Sequence, residues 1–522
     1  MNHTMFGGSI SRNVLEGYLS RAVTSADLVN STTLSDDLRM IKNIGAKFLG
    51  RASGVWLLEA DDDEHYRKSR ALAERVHEVD PDIMLQTCIF EAVFQEVEKI
   101  KIPDWVFKAF QLPVENRTFC ITDMLFDGRP QGFVWEDGGG IPNLNKLESQ
   151  FWFYYRAVNY IDAGFEAIHM GQIHLYTAED QGFKKTISLF QMIRDYARDH
   201  ARRGIVLLDA HTHGVNIDGR LLFDFHSMPY SRMPILDRPG DKLALVQEGF
   251  SEGGVTPSGW SCDSLPMLME LDNWGGKFFD ENDNLPNERR AWKEWWGYDQ
   301  IAWFASQDEE GRNQFLEYAF KWTAVNNVNS YMQMPIRRGL GSCQVPMQTG
   351  SAGVELSNCY QANRAGEGCP LGFGQEEMIK TLWQSEKGLR QRAGNPLPNT
   401  SYGAEDSYDP DTGIKLPARV ILYGSFQHHV GAINQDSNSE TTRMTYIGNS
   451  IYRRTFVMPF KGSYEYAVAP YGTLSQTYSI DSYPRSGSST KATMVIERDN
   501  TVIEFLFNFM NRSLTVQVIE GL

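Results

Sequence analysis

From about residue 34 to 337, short apolar runs rich in Val, Ile, Leu and Phe alternate with amphipathic stretches. That alternation is the rhythm of a β/α fold built on a parallel sheet. Strands are predicted over Ala46–Trp56, Ile83–Val93, Phe119–Phe126, Glu166–Leu175, Gly204–His213, Arg220–Met228, Pro266–Asn273 and Ser330–Ile336. Eight such strands close a (β/α)8 barrel. Between them, Asp63–Val79 and Asp308–Ala324 carry apolar residues at helical spacing, Glu148–Ala163 is an aromatic-rich helix, and Phe183–Arg202 ends in a basic last turn. The rival arrangement, a doubly wound open sheet, usually places a glycine-rich phosphate turn after its first strand. No G-x-G-x-x-G or Walker-type sequence occurs here.

Residues 339–416 break the rhythm with Gly, Ser, Pro, Asn and charged residues, and read as an insertion followed by a linker. After Pro417 the period shortens to alternating strands at Arg419–Phe426, Thr441–Tyr446, Ile451–Met458, Gly462–Ala469, Lys491–Glu497 and Val502–Asn508, the pattern of a small antiparallel β-sandwich. The expected domains are therefore a barrel over 1–338, the insertion and linker over 339–416, and a sandwich over 417–522. Within the last, GSFQ (424–427), TRMTYIGNSIYRRTFVMP (442–459, with Thr441 before it and Pro459 closing it), KGSYEYAVAPYG (461–472) and EFLFN (504–508) occur in order. This series resembles the immunoglobulin-like accessory module found beside amylase and pullulanase barrels. The resemblance implies a carbohydrate-binding-like accessory domain. Two positions depart from that family's pattern: Ala467 stands where it has a basic residue, and Tyr471, Leu474 and Tyr478 replace its tryptophan-bearing turn.

Composition narrows the partners. Lys+Arg total 50 against Asp+Glu 66, a net charge of -16, and the residues from Pro417 onward hold 9 basic and 8 acidic of these. The acid excess lies before the sandwich, so a phosphate backbone, bound mainly through Lys and Arg, is a disfavoured partner. No apolar run approaches the ~18 residues of a membrane span, and Met1–Asn13 lacks a charged and then hydrophobic leader pattern. The expectation is a cytoplasmic protein, or a secreted one whose N-terminus has been trimmed, with no membrane partner. The six cysteines, Cys88, Cys120, Cys262, Cys343, Cys359 and Cys369, make no C-x-x-C pair and read mostly as free thiols. Aromatic residues reach 12%, with 12 Trp and 22 Tyr. Aromatic faces beside carboxylates suit sugars, whose C–H faces stack while their hydroxyls hydrogen-bond.

In a β/α barrel the reacting groups sit at the C-terminal ends of the strands. Period-two alternation puts Asp209, His211 and His213 on one face of their strand, Asp224 and His226 together on the next, and Glu270, Asp272 and Trp274 together on the seventh. Glu91 closes the second predicted strand, and Gln172 and His174 close the fourth. Buried polar residues at so many strand ends would be costly without partners, so a ligand-binding mouth is the economical reading. Asp-Ala-His-Thr-His (209–213) looks like the D-x-H-x-H motif of metal-dependent amidohydrolases, but it falls near the fifth strand and the only later histidine before the sandwich is His226.

Glycoside hydrolysis needs two carboxyl groups flanking the scissile bond. Met267–Gly275 resembles the strand end where many barrel glycosidases keep a nucleophile or base, which makes Glu270 the first candidate. Its partner is sought among Glu91, Asp209 and Asp224; Glu91 ends an apolar run where desolvation favours a general acid. Gln172, His174, His211, His213, His226, Asp272 and Arg337 are candidate substrate contacts, with Trp260 and Trp274 as stacking platforms. Arg338 shares the arginine pair past the eighth strand, and Trp292 and Trp296 read as a packed helix face. The expected protein is thus an α/β chain with a TIM-like (β/α)8 barrel and a small all-β sandwich. It would be a glycoside hydrolase with a carbohydrate substrate, no cofactor and no metal. A carbohydrate-binding barrel without catalysis and a metal-dependent hydrolase are the alternatives; a mouth with no carboxylate on the fourth strand favours the first of these.

Overall fold

The computed structural model describes residues 5–54, 56, 62–132, 138–232, 245–272, 300–341, 344–349, 353–385, 389–395, 408–474, 477–479 and 491–519. Its larger part is an α/β body whose strands are β1 (Ala22–Ser25), β2 (Phe48–Gly54), β3 (Met84–Cys88), β4 (Ala167–His169), β5 (Leu207–Asp209), β6 (His226–Pro229), β7 (Met267–Glu270), β8 (Ser330–Met332), β9 (Met334–Gly339) and β10 (Cys359–Gln361). One parallel ladder runs β9, β1, β2, β3, β4, β5, and a second runs β6, β7, β8. Two sets of links join them. Asp224 N donates to Leu208 O (2.9 Å) and Ser227 N to Ala210 O (3.2 Å) between β5 and β6. On the other side β8 runs into β9 through Gln333, whose N donates to Met269 O (2.8 Å). The antiparallel β10 extends β9 through Arg337 opposite Gln361.

Helices cover this framework: α1 (Leu34–Ile44), α2 (Asp62–Val79), α3 (Leu147–Asp162), α4 (Lys184–His200), α5 (Gln300–Ser306), α6 (Glu309–Asn326) and α7 (Glu376–Ser385). Each starts and stops for local reasons. Acidic Asp36 and Asp37 occupy the first turn of α1, and Gly45, at φ 76°, supplies the left-handed residue that ends it. The Asp308 side chain caps α6 by accepting from Gly311 N. A single core of strand and helix side chains, among them Leu49, Leu85, Ile168, Leu208, Met269, Phe153 and Phe315, joins the layers. Gly50 leaves room inside the ladder for the Gln333 amide, which donates to Val23 O (3.1 Å); a Cβ at Gly50 would stand 1.8 Å from it.

The strand expectation needs two corrections. Phe119–Phe126 is not a strand but a loop with one 3-10 turn at Ile121–Asp123, and it is apolar because Phe119, Ile121, Met124 and Phe126 are buried. The missing strand is the four-residue β1. The segment read as an insertion and linker also packs on the body: Glu376 of α7 holds Arg39 and Asn43 of α1, and Arg312 of α6 donates to Gln375 Oε1 (3.0 Å) and Phe373 O (3.0 Å). Cys88, Cys120, Cys262, Cys359 and Cys369 carry free thiols, and Cys343 lies outside the described residues. Among the described residues no helix is long and apolar enough to cross a membrane.

The C-terminal part is a sandwich of two antiparallel sheets. One runs β11 (Val420–Gly424), β14 (Gly462–Pro470), β15 (Ala492–Ile496); the other runs β12 (Thr445–Gly448), β13 (Ile451–Met458), β16 (Thr501–Asn508), β17 (Ser513–Val518). Alternate residues from both, including Leu422, Phe456, Tyr466, Ile503 and Phe505, fill its core. The sandwich leans on the body through α6 and β13. Asn395 exchanges two hydrogen bonds with the Thr455 backbone (2.9 and 2.8 Å), and Lys321 Nζ donates to Asn500 O (3.1 Å).

Candidate functional site

The C-terminal ends of β2 to β7, with β9, converge on one buried polar cluster. In β2 the register against β3 jumps between Leu49 and Ser53, and the intervening Arg51 takes φ 58°, left-handed for a residue with a side chain. Such a conformation is disfavoured by ~1–3 kcal/mol and persists where surrounding structure enforces it, often at functional sites. Here it sends the guanidinium into the cluster. Nη2 reaches Glu270 Oε1 at the end of β7, His211 Nε2 (2.6 Å) past β5, and Asp272 Oδ2 (3.9 Å) past β7. His211 Nε2 also lies 2.8 Å from Glu270 Oε1. On the far side of Asp272, Arg338 of β9 holds Oδ1.

Beneath these lies a second layer. Asp209, fully buried at the end of β5, accepts from Gln86 Nε2 (2.7 Å) of β3 and Ser227 Oγ (2.7 Å) of β6, and its Oδ2 stands 2.8 Å from Nδ1 of His169, the last residue of β4. The His169 and His211 rings are 4.6 Å apart, which connects the two layers.

The layers differ in electrostatics. Burial pushes Asp209 up to about 7, against the opposing pull of Ser227 and Arg51. At Glu270 burial pushes the same way, but the Arg51 guanidinium and the His211 hydrogen bond outweigh it and hold the carboxyl below its ordinary range. His169 is held well below the usual imidazole value by burial and then by Arg51 and His211. Burial pushes the neighbouring Cys88 thiol up to about 12, so it is no nucleophile. Two carboxyl groups in one cluster are thus driven in opposite directions, an arrangement that separates an acid from an ionised carboxylate.

Of the residues expected at the mouth, the structure brings together Asp209, His211, Glu270 and Asp272. It does not bring in the others. Glu91 is buried beyond the end of β3 with both oxygens taken by Gln172, whose N and Nε2 donate at 3.0 and 2.8 Å. Gly171, at φ 57°, closes this turn, and a Cβ there would stand 2.0 Å from Glu91 Oε2. Glu91 and Gln172 therefore build a turn. Asp224 precedes β6 at its N-terminal end, where Leu208 N (2.9 Å) and Arg194 Nη2 (3.0 Å) donate to it. His226 starts β6 with both ring nitrogens buried and without a partner. His213 has left the strand and pairs with Glu248, which raises its pKa. His174 meets Thr212 Oγ1 (3.3 Å) on an exposed turn. Trp260 is no platform: it donates to Ile10 O (3.1 Å) and packs with Ala22, Phe48, Met84 and Leu207, at the opposite end of the strands. Arg337 points away from the face that carries Arg338. Trp274, Trp292 and Trp296 lie outside the described residues.

Arg51, Gln86, His169 and Ser227 were not anticipated. A lone arginine in the run Phe48–Gly54 was the available signal for the first.

His211, Glu270 and Asp272 present ligand atoms within 4.8 Å of one another, the spacing of a metal site. Arg51 Nη2 already faces all three, so a guanidinium stands where a cation would sit and supplies its charge.

The sandwich carries the sequence likeness. Residues 419–512 match the pullulanase X25 domain family. This X25-type module spans β11 to β16. No curated relative matches the chain. Among solved structures the chain is similar to a pullulanase from Bacillus acidopullulyticus, at 18% identity, over 21% of this chain and 13% of that chain, with a TM-score of 0.17. A GH27 β-L-arabinopyranosidase from Geobacillus stearothermophilus overlaps 97% of this chain and 99% of its own, at 10% identity and TM-score 0.35. A debranching enzyme from Nostoc punctiforme overlaps 82% and 79%, at 10% identity and TM-score 0.35.

Proposed function

We propose that the parallel strands close as a (β/α)8 barrel over residues 1–338, followed by the 339–416 segment and the accessory module over 417–522, and that the chain is a glycoside hydrolase acting at the strand-end cluster. The observation that carries this reading is the pair of buried carboxyl groups in opposite states: Glu270 held ionised by Arg51 and His211, and Asp209 pushed up to about 7 against His169. The Asp209–His169 pair holds a proton near neutral pH. That proton passes to the glycosidic oxygen as the C–O electron pair moves onto it, the Glu270 carboxylate stabilises the positive anomeric carbon, and water adds there, its proton returning to the Asp209–His169 pair. The X25-type module supports a carbohydrate as substrate.

A test follows from the roles. Glu270→Gln should lose turnover of aryl glycosides and keep sugar binding. Asp209→Asn should lose more on alkyl or sugar leaving groups than on dinitrophenyl ones, which leave without a proton. Undiminished activity in Glu270→Gln would sink the assignment. A second reading, a sugar-binding barrel without catalysis, is supported by the absence of a carboxylate at the end of β4 and by the guanidinium partners of Glu270 and Asp272. Binding without product from any glycoside would favour it.

A further inference from the structure

The charge balance and the unused hydrogen-bonding atoms of the cluster bear on what kind of sugar it takes. Resting on the carbohydrate reading above, we infer that the site recognises a neutral sugar through a vicinal pair of hydroxyls, one donating to Glu270 Oε2 and its neighbour accepting from Arg51.

The charges are matched one for one. Arg51 faces Glu270 and Arg338 faces Asp272, with all four side chains at least nine-tenths buried. Among the described residues of the cluster no positive charge is left over for an anion. A uronate, sulfate or phosphate would have to approach Glu270 and Asp272 in a region stripped of water, where like charges repel far more strongly than in bulk solvent. The arginines here hold protein carboxylates and are not spare anchors for an acidic substrate.

The unused atoms point the same way. Glu270 spends Oε1 on Arg51 and His211, while Oε2 is buried with no partner. A buried carboxylate oxygen without a donor is costly, and a ligand hydroxyl removes that cost. Among the described residues Arg51 donates through its backbone N and Nη2 alone, leaving Nε and Nη1 as donors of a planar fork. Acceptor and donors thus sit on adjoining groups already locked together by an ion pair. A hydroxyl can both donate and accept; a carboxylate can only accept, and it would leave Oε2 unsatisfied. The left-handed backbone of Arg51 fits this role, because strain held at a buried residue fixes the guanidinium before the sugar arrives.

The test compares p-nitrophenyl glycosides of neutral hexoses and pentoses with p-nitrophenyl glucuronide and galacturonide, using the full-length protein. The expected result is a kcat/KM at least tenfold higher for the best neutral glycoside. Arg51→Lys keeps the charge and loses the fork; it should raise KM for that glycoside about tenfold or more with a smaller change in kcat. Arg337→Ala, on the other face of β9, should leave both unchanged. Thermal protection by the matching methyl glycoside, present in wild type and lost in Arg51→Lys, reads binding independently of turnover. Preference for a uronide, or an unchanged KM in a folded Arg51→Lys, overturns the inference while the glycosidase reading stands. If neither neutral nor acidic sugars are bound or turned over, the glycosidase reading fails and the inference falls with it.

Discussion

The buried ring of His226 ties stability to pH in a way that one substitution isolates. Neither ring nitrogen has a partner, and burial, followed by the field of His213, holds the pKa down to about 3, against 6.5 for an unburied imidazole. Between those two values the unfolded chain carries the proton and the native one does not. Stability therefore rises with pH across this window: the contribution is complete above 6.5 and lost as pH falls towards 3. The slope is about 1.4 kcal/mol per pH unit, so acidification from 6.5 to 5 removes about 2 kcal/mol through this ring. Asp209 works in the opposite sense. Its native pKa of about 7 exceeds the ordinary 3.8, so the native state takes up the proton first and is favoured as pH falls from 7 towards 3.8. In wild type the two slopes largely offset each other. His226→Phe keeps an aromatic ring, removes the titration, and leaves Asp209 and the other histidines held low, His65, His77, His169 and His174, as they were. The free-energy difference between variant and wild type should then shift by about 2 kcal/mol in favour of the variant between pH 7 and pH 5. Urea unfolding followed by tryptophan fluorescence at pH 7, 6 and 5 measures it. A difference that stays constant with pH would refute the reasoning, because it would mean that the native ring protonates as freely as the unfolded one.

Three further outcomes are expected. Arg338→Met removes the direct ion pair of Asp272, leaving Arg51 and His211 at 3.9 Å among the described residues, and should destabilise the body by about 3 kcal/mol, the cost of breaking a buried ion pair, read from the urea midpoint. Asn395→Ala removes both hydrogen bonds to the Thr455 backbone and leaves its buried groups unpaired; a loss of about 2 kcal/mol should appear in calorimetry as earlier unfolding of the X25-type module. Prolonged treatment with EDTA should leave the melting temperature unchanged to within about a degree, since Arg51 supplies the positive charge that His211, Glu270 and Asp272 face; a lowered melting temperature restored by a divalent metal would show that the guanidinium gives way to an ion.

The strand rhythm was readable because apolar runs report burial, and the same property misled where burial was not in a sheet. Phe119–Phe126 is as apolar as any strand, yet it is a loop closing over the body, whereas Ala22–Ser25 is too short to announce itself. The two errors cancel in the count of eight. They do not cancel at the site, where the position of each strand end decides which side chains meet. Run lengths placed the ends of β3 and β4 too late. β3 stops at Cys88 and β4 at His169, so Glu91, Gln172 and His174 lie in the turns beyond, and His169 takes the position that Gln172 was expected to fill. At β5 and β7 the runs also overran the strand ends, by four and three residues, yet period two still grouped Asp209 with His211 and Glu270 with Asp272, which meet in the cluster, while His213 left it for Glu248. Arg51 was hidden for a different reason: it enters the cluster only through a bulge and a left-handed residue, and alternation assumes neither. The parts of the site that pattern could reach are those held by regular strands. The residue that organises them, by pairing with Glu270 and facing His211 and Asp272, depends on the one place where the strand is irregular, and that is where a variant series on this protein has most to reveal.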